Sequence, residues 1–218
     1  MRAILAALIL VLAFAVTWLG YEVYQLKRAN FDKEENRPRV VELIEQVFKK
    51  IPGLDRTDGP YGVPFNLIDQ DGEPISEQAF RGHPTAIFFG FTHCPEICPT
   101  TLYEMSTWFD TLGEDGKDIE AYFITIDPER DTPEILGGYI SSVTDRVRGI
   151  TGDPDAVREM ARGFNIYFKR IDMDDGDYTM DHTASVILLD SEGRFRKTIA
   201  FGEDTETAIQ KLRDLAET

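Results

Sequence analysis

The stretch T-A-I-F-F-G-F-T-H-C-P-E-I-C-P-T-T-L, Thr85 to Leu102, decides how the rest of the chain is read. Ala86 to Phe91 is an apolar run bounded by Pro84 and Thr92, short enough for a buried strand of a parallel sheet. Cys94 and Cys98, the only cysteines in the protein, follow it. Pro99 fits the first position of a helix, where its fixed φ is useful and its missing N–H is not needed. Apolar residues then recur at three and four through Leu102, Met105, Trp108, Phe109 and Leu112, so the helix runs on to Gly113. The pattern is strand, reactive loop, helix N-terminus.

Such a terminus carries partial positive charge and free N–H groups, which favour thiolate over thiol. Thiolate is both nucleophile and metal ligand, so the pair suits redox chemistry or a metal. A redox pair on a strand–helix turn usually has two intervening residues. Here there are three, Pro95, Glu96 and Ile97. The wider loop can close a disulfide and also lets two sulfurs converge on one ion. Two soft thiolates suit Cu(I) best and Zn(II) next.

The 218 residues suffice for one ordinary domain plus an appendage. A formal charge of −16 argues against nucleic acid and against an anionic lipid surface as partner, and favours cationic partners. Two cysteines make no disulfide framework.

Residues 3–19 are apolar apart from Thr17, and the run reaches Tyr21. At about 1.5 Å per residue it just spans a hydrocarbon core, with Trp18, Tyr21 and Tyr24 as interfacial anchors. The competing reading is a cleaved signal peptide with Ala13-Phe14-Ala15 as its recognition site. Arg2 competes with Lys27 and Arg28, so charge alone does not orient the span. Either way the main domain is expected outside the cytoplasm, where a thiol pair must be kept reduced or metallated. Residues 22–55 read as a stalk, with Val40, Leu43, Ile44, Val47 and Phe48 at helical spacing and Pro52-Gly53 ending it. The domain expectation is therefore an anchor at 1–21, a stalk at 22–55 and a globular domain at 56–218.

Within that domain, F-N-L-I-D-Q-D-G-E-P-I reads as a hairpin turning at Asp71-Gly72. Ile119 to Ile126 is a second buried strand. Asp131 or Thr132 caps a helix that opens at Pro133, and Gly137-Gly138 weakens its pattern. Val147 to Thr151 is a strand, and Asp153-Pro154 starts a helix that stops at Gly163. Strands are expected at Ile166 to Ile171, Thr183 to Leu189 and Phe195 to Phe201, with a turn at Ser191-Glu192-Gly193 and a closing helix at Thr205 to Ala216. Strands alternating with helices, then a terminal hairpin and helix, predict an α/β, thioredoxin-like three-layer domain behind a single transmembrane helix.

Three segments together carry a family resemblance: F-G-F-T-H-C-P-E-I-C-P-T-T-L, I-D-P-E-R-D-T-P-E at 126–134, and D-H-T-A-S-V-I-L-L-D at 181–190. They resemble the Sco/SenC family, membrane-anchored thioredoxin-fold copper proteins that help to assemble the copper centre of cytochrome c oxidase subunit II. The likeness covers about residues 61–215. It implies copper, Cu(I) or Cu(II), as the bound metal and Cys94, Cys98 and His182 as its ligands. It also implies a copper donor protein, and cytochrome c oxidase subunit II or its assembly factors, as partners. Glu96 stands where the family usually has Asp, and Ile187 where an aromatic is common.

The residues alone put His182 just before a strand expected beside the cysteine strand, where a side chain can reach over the sheet end. A lone loop histidine is otherwise solvated or capping. His93 adjoins Cys94, and sequence neighbours do not easily point at one ion, so it reads as a supporting or exposed group. His83 reads as a surface turn residue. Asp172, Asp174, Asp175, Asp177 and Asp181 crowd the stretch before His182, but their glycine falls one place early for a calcium loop. A solvated hairpin is the default, and a docking or steering surface the alternative. Asp127, Arg130 and Asp131 read as helix capping near the site.

Two functions follow. One is a copper metallochaperone using Cys94, Cys98 and His182. The other is an extracytoplasmic thiol–disulfide oxidoreductase, in which Cys94 attacks and Cys98 resolves. A peroxidase lacks the Thr and Arg expected around one reactive cysteine.

Overall fold

The computed structural model describes residues 59–174 and 176–218. The expected membrane span, the stalk and Asp175 lie outside them. Among the described residues no helix is long and apolar enough to cross a membrane.

The all-buried strand anticipated from Ala86–Phe91 is β3, Thr85–Gly90, and every one of its residues is buried. It sits inside a seven-stranded sheet. The other strands of that sheet are β1 (Asn66–Asp69), β2 (Pro74–Ser76), β4 (Glu120–Thr125), β5 (Arg148–Thr151), β8 (Ser185–Leu189) and β9 (Phe195–Ala200), in the order β2-β1-β5-β4-β3-β8-β9. β3 runs parallel to β4, with Phe88 opposite Phe123 and Gly90 opposite Thr125, and antiparallel to β8, with Phe88 opposite Val186. Strands covered on both faces read as continuous apolar runs rather than alternations, which is why β3 and β4 were so legible.

Four helices complete the domain: α1 (Ile97–Leu112), α2 (Pro133–Ser141), α3 (Pro154–Gly163) and α4 (Thr205–Ala216). Toward one face, Phe123 meets Phe88 and the α2 ring of Tyr139, and Gly149 lets Leu136 and Ile140 of α2 lie against β5. α1 packs against α4. Toward the other face, Phe164, just past α3, meets Phe80 edge to face and Phe89 at a tilt. Helices thus cover both faces of one sheet, the three-layer α/β arrangement expected.

Local chemistry sets the element ends. Thr132 caps α2 by accepting from the Ile135 N–H, with Pro133 in the first turn; Asp153 and Asp204 cap α3 and α4 the same way. Gly113 ends α1 at φ 54°, a backbone state that glycine adopts without strain. Gly137 and Gly138 do not break α2.

Two expectations need correction. α1 starts at Ile97, not Pro99, so the proline lies inside the first turn. The first four helical N–H groups have no intrahelical partner, which makes that position tolerable too. The strand assigned to Thr183–Leu189 begins only at Ser185, and His182 instead ends a strand of its own. That strand, β7 (Tyr178–His182), pairs antiparallel with β6 (Phe168–Asp172), pairing Phe168 with His182 and Asp172 with Tyr178. β6 and β7 form a separate two-stranded sheet, and the aspartate-rich stretch turns between them. Few of its residues are apolar, so the sequence signals the turn more clearly than the strands flanking it.

Candidate metal and thiol site

Cys94 and Cys98 are both free thiols, the first half-buried in the loop after β3 and the second fully buried in the first turn of α1. The sulfur of Cys98 has room because Gly90 lies beneath it. A Cβ on Gly90 would stand 2.9 Å from Cys98 Sγ and 2.8 Å from the Phe123 ring. The Cys98 backbone N–H donates to Cys94 Sγ at 3.3 Å, so the helix terminus addresses the other cysteine rather than its own.

β7 delivers the third group. His182 Nε2 lies 3.7 Å from Cys98 Sγ. Its Nδ1 is 3.0 Å from the Thr183 carbonyl, which can only accept, so Nδ1 carries a proton. Nε2 is then the nitrogen that faces the sulfurs, as a lone pair when the ring is neutral and as a donor when it is charged. Phe88 and Phe91 flank the imidazole, with ring centroids at 6.3 and 5.9 Å. Two elements distant in sequence therefore bring Cys94, Cys98 and His182 to one place.

The two thiols differ sharply. Cys94 is held down at about 4, because the Cys98 thiol, the His182 ring and the Cys98 and Glu96 backbone N–H groups hydrogen-bond to its thiolate and outweigh burial. Cys98 is pushed up, first by sharing its proton with Cys94, then by burial and by the neighbouring negative charge. The two shifts have one leading cause, the hydrogen bond in which the Cys98 thiol donates to Cys94.

Among the described residues no three His, Cys, Asp or Glu side chains are already grouped as a metal cage. The donor chemistry nonetheless fits a soft ion. Two sulfurs and an imidazole nitrogen are copper donors, and the cluster is held by the same hydrogens that a metal would displace.

The other histidines stand apart. His93 is exposed and bonds Thr92 Oγ1 at 3.0 Å, and His83 contacts Thr85 Oγ1. Glu96, the departure noted in the loop, is exposed and flanks α1 without a side-chain cap.

Asp131 does more than the capping role first assigned to it. It is fully buried, accepts the Thr92 N–H and hydroxyl at 3.1 and 2.6 Å, and accepts the Thr125 hydroxyl at 2.6 Å. Burial, ahead of those bonds, raises its carboxyl above the usual range. Asp127 and Arg130, from the same segment, reach the β6–β7 hairpin instead. Thr132 alone does the capping. The sequence clue was the crowding of charged residues in I-D-P-E-R-D-T-P-E, more than one helix cap needs.

Known proteins place the chain. The SCO1/SenC family model matches residues 55–217. A SCO2-like protein of Rickettsia prowazekii is 40% identical over 62% of this chain and 67% of its own length. The mitochondrial protein SCO2 of Saccharomyces cerevisiae is 36% identical over 70% of this chain, a match spanning about half of the yeast protein, 52%. Among solved structures, Bradyrhizobium japonicum ScoI with copper bound superposes with a TM-score of 0.66 at 41% identity, covering 71% of this chain and 99% of that one. The chain belongs to the SCO1/SenC family and has its thioredoxin-like fold.

Proposed function

We propose that this protein is a membrane-anchored copper metallochaperone. Copper is its cargo, held by Cys94, Cys98 and His182 and passed on by ligand exchange. The acceptor is the copper centre of cytochrome c oxidase subunit II or an assembly factor of that enzyme, and a separate protein donates the copper. The globular domain stands on the extracytoplasmic side, tethered by the apolar N-terminal segment.

One observation carries this reading: His182 Nε2 faces Cys98 Sγ at 3.7 Å from a strand that belongs to a different sheet from the cysteine strand. A dithiol that only exchanges disulfides has no need of an imidazole brought from 84 residues away. The copper bound to the ScoI relative supports the choice of metal. Cys94 as a ready thiolate offers the first sulfur, and Cys98 gives up its proton as the ion enters.

The unequal thiols favour a second activity of the same site, reduction of a partner disulfide. Cys94 thiolate attacks one sulfur of the partner disulfide and bonds to it in a mixed disulfide, while the partner's other sulfur leaves as thiolate. Cys98, losing its proton, then attacks Cys94 and releases the partner's second thiolate, leaving a Cys94–Cys98 disulfide. Two electrons pass to the partner, whose cysteines are then ready for copper.

Anaerobic copper titration of the reduced protein followed by dialysis separates the two. Retention of one copper per chain supports the chaperone. No retention, together with fast reduction of a protein disulfide, supports the oxidoreductase.

A further inference from the structure

The elements that bring the donors together are attached to the body in different ways. α1 is rooted in the core by Cys98, Leu102, Met105, Trp108, Phe109 and Leu112. The β6–β7 hairpin joins no larger sheet, and none of its strand residues is fully buried. Phe168 and Met180 touch the core, but a cleft lined by Pro128, Glu129, Lys169 and Arg170 opens beside them. Apolar packing alone therefore holds the hairpin weakly.

A polar clamp does the rest. Arg130 Nη1 donates to the Tyr178 carbonyl at 2.9 Å and to the Asp177 carboxylate at 3.1 Å. Its Nε donates to Asp127 at 2.5 Å. Asp127 is buried and also accepts the Tyr178 hydroxyl at 2.7 Å. The Arg130 guanidinium lies 3.7 Å from the Tyr178 ring centroid and that of Arg170 lies 3.6 Å from it. Two cations at such range cannot share a face, so they sandwich the ring. Tyr178 begins β7 and His182 ends it, on the same face of the strand. Whatever fixes Tyr178 fixes the line along which the imidazole is presented.

We propose that Arg130 is a positioning residue for His182, acting with Asp127 and Tyr178 to set the hairpin so that the imidazole meets the cysteine sulfurs. This rests on the reading of His182 as a copper donor. Cu(I) is content with two thiolates, whereas Cu(II) requires nitrogen and a higher coordination number. Loss of the clamp therefore weakens Cu(II) binding selectively.

The test compares Arg130→Ala, Arg130→Lys, Tyr178→Phe, His182→Ala and the double variant Arg130→Ala/His182→Ala in the full-length protein. Cu(I) and Cu(II) titrations are run on each, and the imidazole nitrogens of the copper-free protein are followed by NMR. Arg130→Ala is expected to lose Cu(II) affinity by about 10-fold or more while keeping one Cu(I) per chain, as removal of a partner outside the ligand set does elsewhere. In the His182→Ala background it adds nothing. Arg130→Lys keeps the charge without the fork and rescues only partly. In the copper-free protein, Arg130→Ala exposes the His182 Nδ1 proton to faster exchange.

Equal loss of Cu(I) and Cu(II), or a full additional loss on top of His182→Ala, overturns the proposal in favour of a general structural role. Should Arg130→Ala fail to fold, Tyr178→Phe removes only the hydroxyl bond to Asp127 and must show the same selective loss at smaller size; an unchanged Cu(II) affinity there also overturns it. If His182→Ala itself leaves Cu(II) untouched, the copper reading fails instead, and the NMR exchange rate alone judges Arg130.

Discussion

Thr92 and Asp131 are joined twice: the carboxylate of Asp131 accepts both the backbone N–H and the hydroxyl of Thr92. The bond pair ties the loop before Cys94 to the end of the β4–α2 segment, from inside the protein. Asp131→Ala orphans these donors and the Thr125 hydroxyl, and is expected to cost about 3 kcal/mol, judged by the penalty for unpaired buried groups. Asp131→Asn keeps one oxygen for the N–H and costs less. Chemical denaturation of both variants checks the order, and faster alkylation of Cys98 in Asp131→Ala checks that the cysteine loop loosens.

Gly90→Ala tests the space under the sulfur. The added methyl meets Cys98 Sγ at 2.9 Å and the Phe123 ring at 2.8 Å, both held in the core. Neither can yield cheaply, so the expected cost is about 1–3 kcal/mol, the range for overpacking a core. Copper affinity should fall with it, since the displaced atom is one of the proposed donors. A stability and affinity both equal to those of the parent would contradict the contact.

The thiol pair makes a pH prediction with a definite sign. Cys94 is held at about 4 in the fold, against about 8.5 for an unfolded cysteine. The unfolded chain thus binds more protons between those values, and stability rises with pH across that window. It is fully present above the unfolded value and is lost as pH falls through the folded one. Cys94→Ser should flatten that slope. Alkylation of Cys94 should be nearly independent of pH from about 5 to 8, with Cys98 much slower because burial and its shared proton keep it a thiol.

The readable parts of the sequence were those with local signals. The all-apolar run of β3, the capping Thr132 and Asp153, and the bounds Thr205–Ala216 of α4 each declare themselves within a few residues. The cysteine pair and its place at a helix start were equally plain, although Pro99 marked that start two residues late. His182 entered through family resemblance, and its position against Cys98 spans 84 residues that no local pattern connects. The roles of Asp127, Arg130 and Asp131 were hidden for the same reason. Their side chains look like helix-capping groups until the hairpin and the cysteine loop are folded against them. Gly90 gave no signal at all, because its function is to leave space.

Cys94→Ser and Cys98→Ser should each abolish tight copper binding and dithiol chemistry together, because both need two sulfurs. His182→Ala should separate them, losing the Cu(II) charge-transfer band while the thiols still form their disulfide. The imidazole takes no part in that bond, whatever it does to its potential.

The most direct measurement of the central claim is X-ray absorption spectroscopy of the copper-loaded protein, parent beside His182→Ala. Two sulfur scatterers and an imidazole nitrogen are expected on Cu(II) in the parent, with the nitrogen signal gone in the variant and the sulfurs remaining. An imidazole signal that survives in His182→Ala would contradict that claim, remove His182 from the site and turn attention to His93.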